Sequence, residues 1–239
     1  MFRIAFLLAV AISMAVPVSA GATDFKTPED AVTAYMTAVA AHDFDGVLAT
    51  VALDEMSAKY DFEFGVEWLH SISWLTPMPA TDPLYVALNR AHFTDQIGGE
   101  LRVFTLALLS KNQAIADAQA APMDSAAGAK FVQEVDAKRL GGISLVRIAV
   151  PNVPTNPGYS SILASRARVF GSDELAERIA LFRFEGATYY VGFTLARYGE
   201  VWKVFNQSCQ GCEAAKDFNI HGAPNPITPE AFDALAETP

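Results

Sequence analysis

Basic residues are scarce in this chain. There are 17 Lys and Arg against 27 Asp and Glu, a net charge of −10, and only Lys138 and Arg139 stand side by side. Neutralising phosphates takes a concentrated cationic face, so nucleic acid is excluded as a partner and an anionic membrane surface is disfavoured. Histidine and cysteine are sparse too, with four of the first and two of the second. The acidic residues Asp61, Glu63 and Glu67 form no metal-ligand pattern, and no Gly-rich phosphate loop occurs. Neither a metal nor a cofactor is expected. Ser160, Ser161 and Ser208 lack the G-x-S-x-G setting of a hydrolase nucleophile. Beyond residue 20 there is no apolar run approaching the roughly 20 residues needed to span a bilayer, so stable membrane insertion is not expected.

The amino terminus carries the plainest signal. Arg3 is the only charge before Asp24, residues 4–16 are apolar apart from Ser13, and Pro17 ends the run. Val18-Ser19-Ala20 then supplies the small-x-small pattern of a signal-peptidase site. Residues 1–20 read as a signal peptide and residues 21–220 as one α+β domain. Residues 221–239 read as a Pro-rich tail, with four prolines from Pro224 onward. The expected location is the periplasm or the extracellular space.

The mature chain opens with a well-marked helix. In "KTPEDAVTAYMTAVAAHDFDG", Thr27 caps, Pro28 suits the first helical position, and Glu29 and Asp30 favour the positive end of the helix dipole. Val32, Tyr35, Met36 and Val39 recur at i, i+3, i+4 and i+7 and make one apolar face. His42-Asp43 reads as a break before a second short helix carrying Phe44, Val47, Leu48 and Val51.

The last third changes period. Residues 179–184, 188–196 and 201–205 are β-rich, separated by turns at Glu185-Gly186 and Tyr198-Gly199-Glu200, and together read as an antiparallel meander. Residues 143–150 supply a further strand. Within the central run, Tyr189, Val191, Phe193 and Leu195 are expected to face the helices. Tyr190, Gly192, Thr194 and Ala196 are expected to be more exposed, so Thr194→Ala should cost little. Between these ends, Asp82-Pro83 starts a helix through Leu84, Leu88 and Ala91. Gly98-Gly99 reads as a break, residues 101–109 are apolar without a clear type, and "NVPTNPGYSS" reads as a loop.

"TPEDAVTAYMTAVAAHDFDGVLATVA" resembles the opening of NTF2-like domains, the nuclear-transport-factor/SnoaL-like superfamily. "TYYVGFTLARYGE" and "GEVWKVF" resemble its closing hairpin and Trp-containing strand. The resemblance implies a curved antiparallel sheet wrapped around amino-terminal helices, with a cone-shaped cavity between them. Residues 54–140 would form a longer and more helical middle than is usual in that family. The superfamily includes dehydratases, isomerases and many non-catalytic binding domains, so fold alone does not decide function.

Two side-chain groups are candidates for chemistry. His92 and Asp95, three apart in "RAHFTDQ", share a helix face, where a carboxylate can orient an imidazole for acid–base work. Some NTF2-like dehydratases use a His and an Asp in their cavity, so the resemblance implies a lyase or isomerase as one alternative; a plain polar helix face is the other reading. His70, between Trp68 and Trp74 in "VEWLHSISWL", reads either as an aromatic-lined ligand pocket or as packed core aromatics around a satisfied histidine.

Cys209 and Cys212 form a C-x-x-C pair after the last strand, in "FNQSCQGC". A thioredoxin-like dithiol belongs between the first strand and helix of a βαβ unit, and a zinc site needs four ligands, of which His221 offers at most a third. In an exported chain a single close pair is expected to be oxidised. The expectation is a Cys209–Cys212 disulfide, with a thiol–disulfide activity as the competing reading. The reading favoured overall is a non-catalytic domain that binds a small molecule or a protein.

Overall fold

Thr27 caps the first helix, as its hydroxyl allows. In the computed structural model, which describes residues 24–116, 120–152, 157–209 and 222–236, its hydroxyl accepts the Asp30 N–H at 3.1 Å. Helix α1 (Pro28–Ala40) buries Ala31, Val32, Tyr35, Met36 and Val39. His42 turns the chain at a left-handed φ of 59°. Asp43 then caps α2 (Phe44–Thr50) through the Gly46 N–H. Helices α3 (Leu53–Lys59) and α4 (Phe62–Leu69) follow, the second capped by Asp61.

Asp82 caps the longest helix, α5 (Pro83–Leu109), which runs straight through Gly98 and Gly99. The expected break is absent. Two glycines cost a helix roughly 1 kcal/mol each, but Phe93, Ile97, Phe104 and Leu108 enter the main core on either side of them and hold the helix continuous. Short α6 (Gln113–Ala116), α7 (Ser125–Glu134) and a 3-10 helix (Ala137–Gly142) complete the enlarged helical middle. "NVPTNPGYSS" is not all loop, because Pro157 starts α8 (Pro157–Val169), the position where a missing N–H does no harm.

The sheet is antiparallel, in the order β1 (Ser144–Ala149), β2 (Glu174–Phe184), β3 (Ala187–Tyr198), β4 (Val201–Asn206). β2 and β3 are joined by Glu185 and Gly186, both at positive φ, which matches the twist of a two-residue hairpin. A short β5 (Asn225–Pro226) continues beside β3, pairing with Tyr189 and Tyr190. The fold is α+β, with the amino-terminal helices packed on a carboxy-terminal curved sheet.

One face of the sheet meets the helices, where Val191, Phe193 and Leu195 join the α1 side chains in the main core. Phe193 stands edge-on to Tyr35 at 5.2 Å. The opposite face departs from the expected alternation. Tyr190, Gly192 and Thr194 are buried as well, because a second core of Ile179, Leu181, Tyr190, Cys209 and Phe232 covers that side. Phe232 comes from α9 (Pro229–Leu235). This last segment is anchored at both ends: Ile227 N–H donates to Thr188 O at 3.0 Å and Asn152 N–H to Leu235 O at 2.7 Å. Arg147 of β1 pairs with Asp233 and lays its guanidinium 4.9 Å over the Phe232 ring.

Candidate functional site

The chain leaving β4 runs through a buried polar seam. Asn206, Gln207, Ser208 and Cys209 are all buried, and two carboxylates, Glu100 and Glu177, are buried beside them. Gln207 is held on three sides. Its Oε1 accepts the Tyr35 hydroxyl at 2.8 Å, its Nε2 donates to Gly222 O at 2.8 Å, and its backbone N–H donates to Glu100 Oε2 at 2.8 Å. Thr194 donates its hydroxyl to Ser208 O at 2.8 Å. Cys209 Sγ lies 3.3 Å from Glu177 Oε2, which also accepts the Tyr159 hydroxyl. Burial, and then the nearby Glu100, push the Tyr35 phenol well above its ordinary range. Burial, and then the bond to Glu177, do the same to Tyr159. These phenols stay neutral donors, so the seam ties α1 and α5 to the segment after β4, and α8 and that segment to Glu177 of β2.

The residues that the sequence marks for chemistry lie elsewhere. His92 and Asp95 do sit on one helix, α5, but Asp95 is exposed and His92 is half-buried, while Phe93 and Ile97 take the core-facing stripe. His70 is exposed and ends α4 in a left-handed conformation with φ 52°, its N–H bonded to Val66 O. Trp68 is half-buried, and Trp74 is 90% exposed. His70 and Trp74 therefore stand outside the core, and only Trp68 is partly covered. Cys209 is buried against the second core, and Cys212 lies outside the described residues. Among the described residues, no group of three or more His, Cys, Asp or Glu side chains is placed to hold a metal ion. Among the same residues no helix is long and apolar enough to cross a membrane.

What the sequence reading missed is an apolar surface. Leu69, Ile72, Trp74, Leu75, Leu84 and Leu88 are each about half exposed or more. The loop that carries Ile72, Trp74 and Leu75 is held by hydrogen bonds. Ser73 N–H donates to Thr76 Oγ1 at 2.8 Å and Thr76 N–H to Ser73 O at 3.0 Å, a turn with Trp74 at its tip. The buried Asn89 pins the loop to α5, taking the Met78 N–H at 2.7 Å and donating to Met78 O at 2.8 Å. The expected helix through Leu84, Leu88 and Ala91 is α5, and all three of these residues are exposed. The usable signal was "SISWLTPMP", apolar residues set among turn formers with no helical period.

No family model matches the chain, and no curated protein matches it. Among solved structures it is similar to a cystatin-like protein from Ruminococcus gnavus ATCC 29149, with a TM-score of 0.56 and 18% identity over 84% of this chain. The match spans 44% of that protein, so the chain corresponds to less than half of its length. At this identity the likeness is one of fold, helices packed on an antiparallel sheet.

Proposed function

We propose that this chain is an exported, non-catalytic binding or accessory domain of the NTF2-like type, and that residues 69–88 are its recognition surface. The observation that carries this reading is the exposure of Trp74 on a hydrogen-bonded turn, among Leu69, Ile72, Leu75, Leu84 and Leu88. Large apolar side chains left open to solvent can mark an interaction surface, and tryptophan is among the residues most enriched where binding energy concentrates. Export is supported by Arg3, the apolar residues 4–16 and Val18-Ser19-Ala20. The family is supported by the capped "TPEDAV" opening and by the order of helices before sheet.

A lyase or isomerase would need His92 and Asp95 together in an enclosed site, and the exposure of Asp95 speaks against it. A thiol–disulfide activity would need an accessible thiolate, and the complete burial of Cys209 favours a structural disulfide with Cys212 instead. The test is titration of the mature protein with the apolar dye ANS. Bound dye fluorescence is expected to drop in Trp74→Ser and Leu88→Ser at unchanged Tm. Dye binding indifferent to both substitutions would remove residues 69–88 as the recognition surface.

A further inference from the structure

The sulfur of Cys209 has a charged neighbour. Cys209 is completely buried in the second core, and Glu177 of β2 is buried beside it, with Oε2 3.3 Å from Cys209 Sγ. The bare Gly192 permits this approach, since a Cβ there would meet the Cys209 Cβ at 2.4 Å. The Tyr159 hydroxyl donates to the same Glu177 oxygen, and burial, then that bond, keep the phenol protonated. A neutral donor holds the carboxylate in place without cancelling its charge. Two arginines stand nearby. Arg178 donates to Glu29 Oε1 at 2.5 Å and to the Glu177 backbone oxygen at 2.7 Å. Arg166 of α8 lays its guanidinium 5.1 Å over the Phe205 ring, and its charge reaches Tyr159. The oxygen in contact with the sulfur belongs to the carboxylate.

A thiol reductant can open a disulfide at Cys209 by two routes. Its thiolate attacks one sulfur, a new S–S bond forms, and the other sulfur leaves with the electron pair of the broken bond. Attack on Cys209 itself is closed by burial. Attack on the partner sulfur expels Cys209 as a thiolate, a second negative charge 3.3 Å from the Glu177 carboxylate. Burial and a like charge both disfavour that anion, and a thiolate that is hard to form leaves slowly.

We propose that Glu177 guards the Cys209–Cys212 disulfide, holding it closed against thiol reductants while the protein is folded. This rests on the disulfide proposed above. Glu177 acts on the rate at which the bond opens, through the charge it sets beside the departing sulfur.

The experiment follows reduction of the mature protein by dithiothreitol, whose two thiols end as a cyclic disulfide while the protein gains two thiols. Samples are alkylated at intervals and weighed intact. Glu177→Gln keeps an oxygen for the Tyr159 hydroxyl and removes the charge, and it should be reduced about tenfold faster or more. Glu177→Asp, which keeps the charge, should recover much of the protection. Phe193→Ala weakens the main core without touching the carboxylate, and so calibrates opening through unfolding. A rate in Glu177→Gln that its loss of stability in urea accounts for on that calibration overturns the guard. An unchanged rate overturns it too and leaves the disulfide standing. Arg166→Gln reads the same field with the opposite sign, and serves even where Glu177→Gln does not fold. It should be reduced more slowly than the unsubstituted protein, and a rate above the calibration overturns the guard. Two thiols alkylated before any reductant is added remove the disulfide and the guard with it.

Discussion

Gly192 of β3 and Cys209 occupy one another's space: a Cβ on Gly192 would stand 2.4 Å from the Cys209 Cβ and 3.2 Å from its backbone nitrogen. The segment after β4 can cross the back of the sheet at this point only because residue 192 has no side chain. Gly192→Ala is therefore expected to destabilise the protein by about 1–3 kcal/mol, the usual cost of overpacking. Urea unfolding measures it, and a midpoint equal to that of the unsubstituted protein would show that Cys209 is not seated there.

Because β3 is buried on both sides, both alternating sets should resist truncation. Phe193→Ala is expected to cost about 3–5 kcal/mol, and Phe232→Ala on the opposite face a similar amount. Thr194→Ala, which sequence alternation marks as mild, is expected to cost about 1–2 kcal/mol, because it removes a buried hydrogen bond to Ser208 O. If Thr194→Ala and Phe232→Ala both melt like the parent, the second core does not exist in solution.

Tyr35→Phe would leave Gln207 Oε1 without its donor in a buried site, at an expected cost of about 1–3 kcal/mol. The same tyrosine bears on alkaline stability. Burial comes first among the causes that raise Tyr35, Tyr159 and Tyr198 above 10.0. Above about pH 10 the unfolded chain loses these protons while the folded protein keeps them. Their contribution is complete below pH 10 and is lost as pH climbs toward the folded values, so stability falls with rising pH. Unfolding free energies at pH 9, 10 and 11 should show that decline, and the slope should be shallower in Tyr35→Phe, by up to about 1.4 kcal/mol per pH unit.

Intact-mass measurement of protein recovered from the exported fraction tests the proposed processing and the proposed disulfide together. The expected mass is that of a chain starting at Gly21, reduced by the hydrogens lost in forming one disulfide between Cys209 and Cys212. Recovery of the full-length chain would defeat cleavage. Alkylation of both thiols without prior reduction would defeat the disulfide, whose short loop should contribute only about 2 kcal/mol.

The parts of the fold legible in the sequence are those written in local chemistry. The Thr27–Pro28 start, the break at His42 and the turns at Glu185-Gly186 and Gly199 each depend on a few neighbouring residues, and each stands where the pattern placed it. The features that were not legible depend on distant partners. The strand alternation in residues 188–196 gives no sign that Phe232 returns to cover Tyr190. Gly98-Gly99 carries a local breaking tendency that core contacts on both sides override. At the candidate site the gap is wider. The apolar period of Leu84, Leu88 and Ala91 is real, but a period does not say which side of a helix meets the core. That was decided by Asn89, Phe93, Ile97 and Glu100, two of them polar.

The anchoring of α9 on the back of the sheet sets an order on synthesis. Residues 222–236 leave the ribosome after every strand they cover. Until Phe232 emerges, Ile179, Leu181 and Tyr190 lie bare on a sheet whose other face can already be packed by the helices. A sheet that formed before Phe232 arrived would hold one apolar face open, the kind of surface that invites aggregation or chaperone capture. If the chain is exported as proposed, a holding factor would have to recognise that half-covered sheet, or translocation would have to finish before the sheet forms.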